Sequence, residues 1–142
     1  MHMENKWSNK IQVSDTIFDL WNEQKKLINN KKADFYFREW DVWRVSLGMN
    51  IRSEAYGKWE SFRRPILVLK KLSDDSCIAI PLSSRPKQWT WFCEYSLHGE
   101  KGTALIYQIK MMHKNRLQRK IWEMDEKDFA DIKKRLKQLL NL

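Results

Sequence analysis

Arg63 and Arg64 stand directly before a proline and a run of branched aliphatics, "RRPILVL". Such a run reads as a buried strand, and proline is tolerated at a strand's first residue, where its missing N–H breaks no ladder bond. The arginines are therefore expected at the mouth of a strand, on a backbone with little freedom. A second run, "IAIPLSS", ends in the hydroxyls of Ser83 and Ser84, with Arg85 next. A planar guanidinium fork beside hydroxyl donors suits a phosphodiester. Taken alone, the same residues have a plainer reading. Arginines at a strand end often pair with an acid such as Glu54, Glu60 or Glu94, at little gain when exposed, and paired serines are common turn formers.

Other chemistries lack their residues. His2, His98 and His113 are scattered, with no HExxH and no paired His/Cys spacing, so no metal is expected. "GEKG" is too short for a phosphate loop and no glycine-rich nucleotide fingerprint occurs, which sets kinases and dehydrogenases aside. No cofactor is expected. Cys77 and Cys93 lie in apolar segments without a CxxC spacing, which reads as two reduced core thiols in a cytoplasmic protein rather than a disulfide. No window approaches the ~18 apolar residues of a membrane span, and "MHMENKWSNK" lacks a signal peptide's apolar core. No membrane partner is expected.

The formal net charge is +9, gathered in residues 38–71, with 8 Lys/Arg against 4 acids, and 110–142, with 10 against 5. A surface of this kind favours a polyanion, either nucleic acid or an acidic protein segment. A merely basic soluble protein would show the same totals.

The elements that position these residues fall into three groups. "VSDTIFDLWNEQKKLINNKK" reads as an amphipathic helix capped at Ser14, with Ile17, Leu20, Trp21, Leu27 and Ile28 on one face. "MDEKDFADIKKRLKQLLNL" reads as a second helix. Asp125 is its cap, Met124 and Phe129 its hydrophobic staple, and Phe129, Ile132, Leu136, Leu139 and Leu140 its buried stripe. Between them, "WDVWRVSLG", "PILVLKKL", "SCIAIPLS", "QWTWFCEYS", "TALIYQIKMM" and "RLQRKIWEM" read as strands separated by turn formers. In the fourth, Trp89, Trp91, Cys93 and Tyr95 alternate with Thr90, Phe92, Glu94 and Ser96. The expected fold is α+β, mainly β: a small, strongly curved barrel or half-barrel with a C-terminal helix and an extra N-terminal helix. Residues 1–37 are expected to form that helical addition and 38–142 the barrel domain. Residues 48–63 read as one long loop that delivers its end at Arg64.

In order and spacing, "WRVSLG", "SEAYGK", "RRPILVL", "IAIPLSS", "YQIKMMHKNRL" and the final helix resemble the MazF/PemK family of toxin endoribonucleases, over residues 39–142. The most specific piece is the pair of strands, one beginning Arg-Pro and one ending Pro-x-Thr/Ser. The resemblance implies an SH3-like barrel that pairs as a homodimer and cuts single-stranded RNA at short sequences, without a metal, by attack of the neighbouring 2′-hydroxyl. It also implies an antitoxin whose acidic segment blocks the RNA groove, and operator DNA reached through the antitoxin complex. Carried over by position, the catalytic arginine is Arg64, the hydroxyl is Ser83 (serine for the usual threonine) and the loop glutamate is Glu54. The glutamine of the late strand is Gln108, which with Arg63, Ser84, Arg85, Lys58 and Lys110 makes the expected substrate-binding set.

The chain departs from the family at Tyr107, where many relatives carry an aspartate before the glutamine. That leaves Glu54 as the carboxylate within reach of the site. Two other readings share the fold: a nucleic-acid- or antitoxin-binding module that has lost its base, and a gyrase inhibitor acting through the C-terminal helix. The "RP…PLS" pair favours RNA cleavage, since a gyrase poison has no need of it.

Overall fold

The computed structural model describes residues 2–50, 57, 62–85 and 91–142. A long helix α1 (His2–Asn30) leads into β1 (Asp41–Ser46), β2 (Arg63–Lys71) and β3 (Ser76–Ser83). A hairpin of β4 (Cys93–Leu97) and β5 (Glu100–Ala104) follows, then a 3-10 turn (Ile106–Gln108) and β6 (Lys110–His113). A second 3-10 turn (Lys114–Arg116), β7 (Leu117–Glu123) and helix α2 (Glu126–Leu139) complete the fold.

The strands run antiparallel in the order β4-β5-β3-β2-β1-β7, with β6 also on β3. β3 is shared: Ser76 to Ala79 pair with β6, and Leu82 and Ser83 pair with β5. Because β6 passes through one short turn into β7, which pairs with β1, the sheet curls into a half-barrel. This is the expected α+β architecture.

The "PILVL" run does not alternate because both faces of β2 are covered. Ile66 and Val68 enter a core inside the curl with Trp43, Val45, Cys77, Ala79, Met112 and Leu117. Leu67 enters a second core on the other face with Val42, Ile80, Leu82, Phe129 and Ile132, under α2. Each large aliphatic side chain buried on either face of this strand contributes roughly 1.5–3 kcal/mol.

Several expectations are corrected. α1 begins at His2 rather than at a Ser14 cap, and on the expected face Trp21 is buried and Ile17 and Ile28 are half-buried, while Leu20 is 53% and Leu27 74% exposed. The cap of α2 is Asp125 in backbone only, since its side chain makes no capping bond. The staple partners Met124 and Phe129 are both buried as expected, but Leu140, just past the helix, is exposed. β2 starts two residues before Pro65, and the β3 ladder begins only at Ile66. Cys93 and Tyr95 are buried with Glu94 and Ser96 outside, yet Phe92 is buried and Trp91 exposed. β4 starts at Cys93, so the alternation does not extend back through those two residues. The "TALIYQIKMM" strand is broken at Ile106–Gln108. Ile106 must reach the outer core and Met112 the inner one, and residues of equal parity cannot do both on one uninterrupted strand. The 3-10 turn makes the change of face.

Candidate active site

Arg64 lies opposite Val45 on β1, and so shares the inner face with Val45 and Ile66, one step beyond the last core residue. Ile66 pairs with Pro81, which brings Arg64 level with Ser83. The side chain is half-buried, and its Nη1 donates to the Leu82 carbonyl at 3.2 Å. The guanidinium therefore lies across the end of β3 at the rim of the inner core, as the sequence implied.

Ser83 closes β3 and is half-buried. Its Oγ accepts the Arg85 N–H at 3.2 Å, leaving its own proton to donate elsewhere. Its carbonyl accepts the Tyr95 hydroxyl at 3.4 Å, and Thr103 Oγ1 donates to the Arg85 carbonyl at 2.7 Å. Gly102 makes this corner possible: a Cβ there would stand 2.5 Å from Tyr95 Oη and 2.9 Å from the Ser83 carbonyl. Burial pushes the Tyr95 phenol up to about 12, so it remains a neutral donor at ordinary pH. Tyr95, Gly102 and Thr103 thus fix the corner that carries Ser83, Ser84 and Arg85. Gly102 inside a strand is the one signal in the sequence that could have revealed it, since strand glycines mark close approaches.

On the other flank of β3, Leu105 N–H donates to the Pro81 carbonyl at 2.9 Å. Beyond it the 3-10 turn presents Tyr107 and Gln108, whose Nε2 donates to the Tyr107 phenol at 2.8 Å. Tyr107 is exposed and meets Phe92 edge-on at 5.3 Å and Trp91 at 6.3 Å. Lys110 is half-buried and opens β6 opposite Ala79. The end of β3 is therefore bracketed by Arg64 on one side and by an aromatic group with Gln108 on the other.

Arg63 is separated from Arg64. Successive strand residues face opposite ways, and Arg63 pairs with Ser46 on the outer face. Arg44 and Arg119, directly opposed across β1 and β7, share that face. Arg44 Nε is shielded from solvent and has no hydrogen-bond partner. Glu54 and Lys58 lie outside the described residues. Among the described residues no group of three or more His, Cys, Asp or Glu could hold a metal, and no helix is long and apolar enough to cross a membrane. A depression of about 480 Å³ lined by Arg38, Glu39, Trp40, Asp41, Lys71 and Glu123 sits at the far end of β2 from Arg64. Its lining is tied up in internal ion pairs, which argues against it as a binding site.

Over residues 38–140 the chain matches the family model described as PemK-like, MazF-like toxin of type II toxin-antitoxin system. No curated protein sequence matches it. Among solved structures, MazF (Form-I) from Deinococcus radiodurans aligns with a TM-score of 0.61 at 20% identity, covering 77% of this chain and 100% of that one. An endoribonuclease in complex with its cognate antitoxin from Mycobacterial species gives 0.58 at 16% identity, covering 73% and 94%. The MazE-MazF complex (Form-II) from Deinococcus radiodurans gives 0.57 at 19% identity, covering 77% and 99%. At these identities the likeness is one of fold.

Proposed function

The chain belongs to the PemK-like, MazF-like toxins of type II toxin–antitoxin systems, and from that premise we propose that it is an endoribonuclease cutting single-stranded RNA at short motifs. The observation that carries the reading is Arg64, held on the Leu82 carbonyl at 3.2 Å and level with Ser83. In the proposed reaction the 2′-hydroxyl of the nucleotide before the scissile bond attacks its own phosphate. Its proton passes to a base, the bond to the 5′-oxygen breaks, and that oxygen takes a proton from water as it leaves. The products are a 2′,3′-cyclic phosphate and a 5′-hydroxyl. Charge developing on the non-bridging oxygens is met by the Arg64 guanidinium and the Ser83 hydroxyl, donors set in place before the reaction.

Glu54 is the proposed base, since Tyr107 stands where many relatives carry aspartate. Trp91 and Tyr107 offer faces on which a base stacks, with Gln108, Lys110, Ser84, Arg85 and Lys58 along the strand's path. Arg63, on the outer face, contributes charge at longer range. Residues 38–142 form the toxin domain in this reading, with 1–37 as an addition. The expected partners are a second copy of the chain, an acidic antitoxin segment, and operator DNA through the antitoxin complex. The solved MazE-MazF and endoribonuclease–antitoxin complexes support the antitoxin.

The test is to incubate purified protein with a long single-stranded RNA in EDTA and map the new ends. Discrete cuts with 5′-hydroxyl ends are expected. RNA left intact by folded protein, yet retained by it, would replace the nuclease with a binding module.

A further inference from the structure

α1 lies outside the stretch that matches the toxin family, and among its described residues two anchors stand out. One is its C-terminal end, where Asn115 reaches back from the turn before β7. Asn115 Nδ2 donates to the carbonyls of Ile28 at 3.1 Å and Lys31 at 2.7 Å, and its Oδ1 accepts the Ala33 N–H at 3.3 Å. The other is Trp21, only 7% exposed.

Trp21 is buried against two chain ends rather than in either core. Its indole lies on Gly48, where a Cβ would stand 2.0 Å from Trp21 Cε2 and the backbone has φ +81°. Its ring centroid is 5.5 Å from that of Phe62. Gly48 and Phe62 flank the segment 49–61 and are tied to each other, Gly48 N–H donating to the Phe62 carbonyl at 3.0 Å. Gly57 folds onto the same knot: its N–H donates to the Gly48 carbonyl at 2.7 Å, and a Cβ on it would fall 2.0 Å from the Phe62 carbonyl. Arg116 closes the far side, its guanidinium 5.9 Å from the Trp21 ring centroid. Its Nη1 donates to the carbonyls of Ser46 at 3.1 Å and Leu47 at 3.4 Å.

Phe62 has φ +53°, a conformation that costs a bulky residue of order 1 kcal/mol or more and persists only where surroundings enforce it. Two residues later comes Arg64. We propose that Trp21 is a positioning residue for the rim: it clamps the joined ends of segment 49–61 and, through Phe62, sets the start of β2 that carries Arg64. The proposal rests on the ribonuclease reading for its kinetic consequence but not for its structural one. Of the five expected face residues Trp21 alone is fully buried, with Ile17 and Ile28 half-buried and Leu20 and Leu27 in solvent, so the helix's fully buried contact among them is the one on Gly48 and Phe62. The grip on chemistry follows because a small misplacement of a transition-state donor costs rate without costing affinity.

The experiment uses the full chain carrying Trp21→Ala or Trp21→Phe. Amide exchange at Gly48 and Gly57, compared with exchange in β3, reads the clamp directly. Trp21→Ala is expected to speed it at least tenfold at those two glycines while leaving β3 unchanged. RNA cleavage is expected to lose about tenfold in kcat with KM within twofold, and Trp21→Phe to restore both. If Trp21→Ala does not fold, Trp21→Leu is read the same way. Unchanged exchange in a folded variant, or unchanged kcat beside accelerated exchange, overturns the proposal. A wild-type protein that leaves RNA intact overturns the ribonuclease reading instead, and exchange alone then decides the clamp.

Discussion

Where β2 ends, near Lys71, cations meet carboxylates. Arg38 reaches Glu123 at 2.9 Å, and Lys120 reaches Glu123 at 2.8 Å and the buried Asp41 at 3.2 Å. Asp41 Oδ2 also accepts the Arg38 N–H at 2.9 Å and the Trp43 indole N–H at 3.3 Å. Where β2 begins, Arg64 and Arg116 donate to main-chain carbonyls, and none of the described ion pairs involves Arg44, Arg63 or Arg119. A carboxylate fixes and neutralises a cation, whereas a carbonyl fixes its direction. The two ends of one sheet therefore divide the work. One closes the fold with ion pairs, and the other directs guanidinium groups along rigid backbone, at the end where the proposed reaction places the phosphate.

Breaking the paired end should affect folding alone. Asp41→Ala strands the Trp43 and Arg38 N–H groups and takes away a partner of Lys120, at an expected cost of about 2–3 kcal/mol. Urea unfolding should show this cost, while the initial cleavage rate per folded molecule stays within twofold. A variant that remains stable but stops cutting would mean that the two ends are not separable.

Alkali should act on both sides of the comparison, because Cys77 pairs with Lys71 at the end of β2 and Tyr95 holds the Ser83 corner near its start. Burial pushes the Cys77 thiol from 9.0 up to about 11 and the Tyr95 phenol from 10.0 up to about 12. Both folded values lie above the unfolded ones, so the fold favours the protonated forms. Their contribution is whole below pH 9 and is lost as pH rises through 11 for Cys77 and 12 for Tyr95. Cys77 alone is expected to account for a loss on the order of 2 kcal/mol between pH 9 and 11, which Cys77→Ala should remove, leaving the later loss from Tyr95. Because Tyr95 holds the Ser83 carbonyl, exchange at the Ser83–Arg85 corner should rise as Tyr95 ionises.

The sequence made some of this readable and hid the rest for physical reasons. β2 and β3 were legible because unbroken aliphatic runs demand burial on both faces, and Arg64 and Ser83 stood at their ends. The apolar stripe of α2 was legible from its period. Gly102 inside a strand marked a close approach without saying that the Tyr95 ring fills it beside Ser83, and nothing local announced that Asn115 would cap a helix ending more than 80 residues earlier; contacts between distant segments leave no mark in neighbouring residues. α1 misled for a related reason. Its period put Leu20 and Leu27 on the buried face, but they stay exposed while Trp21 is buried and Ile17 and Ile28 are half-buried. The break at Ile106–Gln108 followed from which core each residue had to reach, and that depends on the finished barrel.

The central claim, that the start of β2 acts while its end holds, meets its most direct test in Arg64→Ala. Cleavage of a single-stranded RNA under single-turnover conditions in EDTA would be measured beside thermal unfolding, in variant and wild type. The expected result is a loss of about a hundredfold or more in rate, with the melting temperature nearly unchanged because Arg64 sits at the rim and not in the core. A variant that unfolds, or one that is stable and cuts at the wild-type rate, would contradict the account.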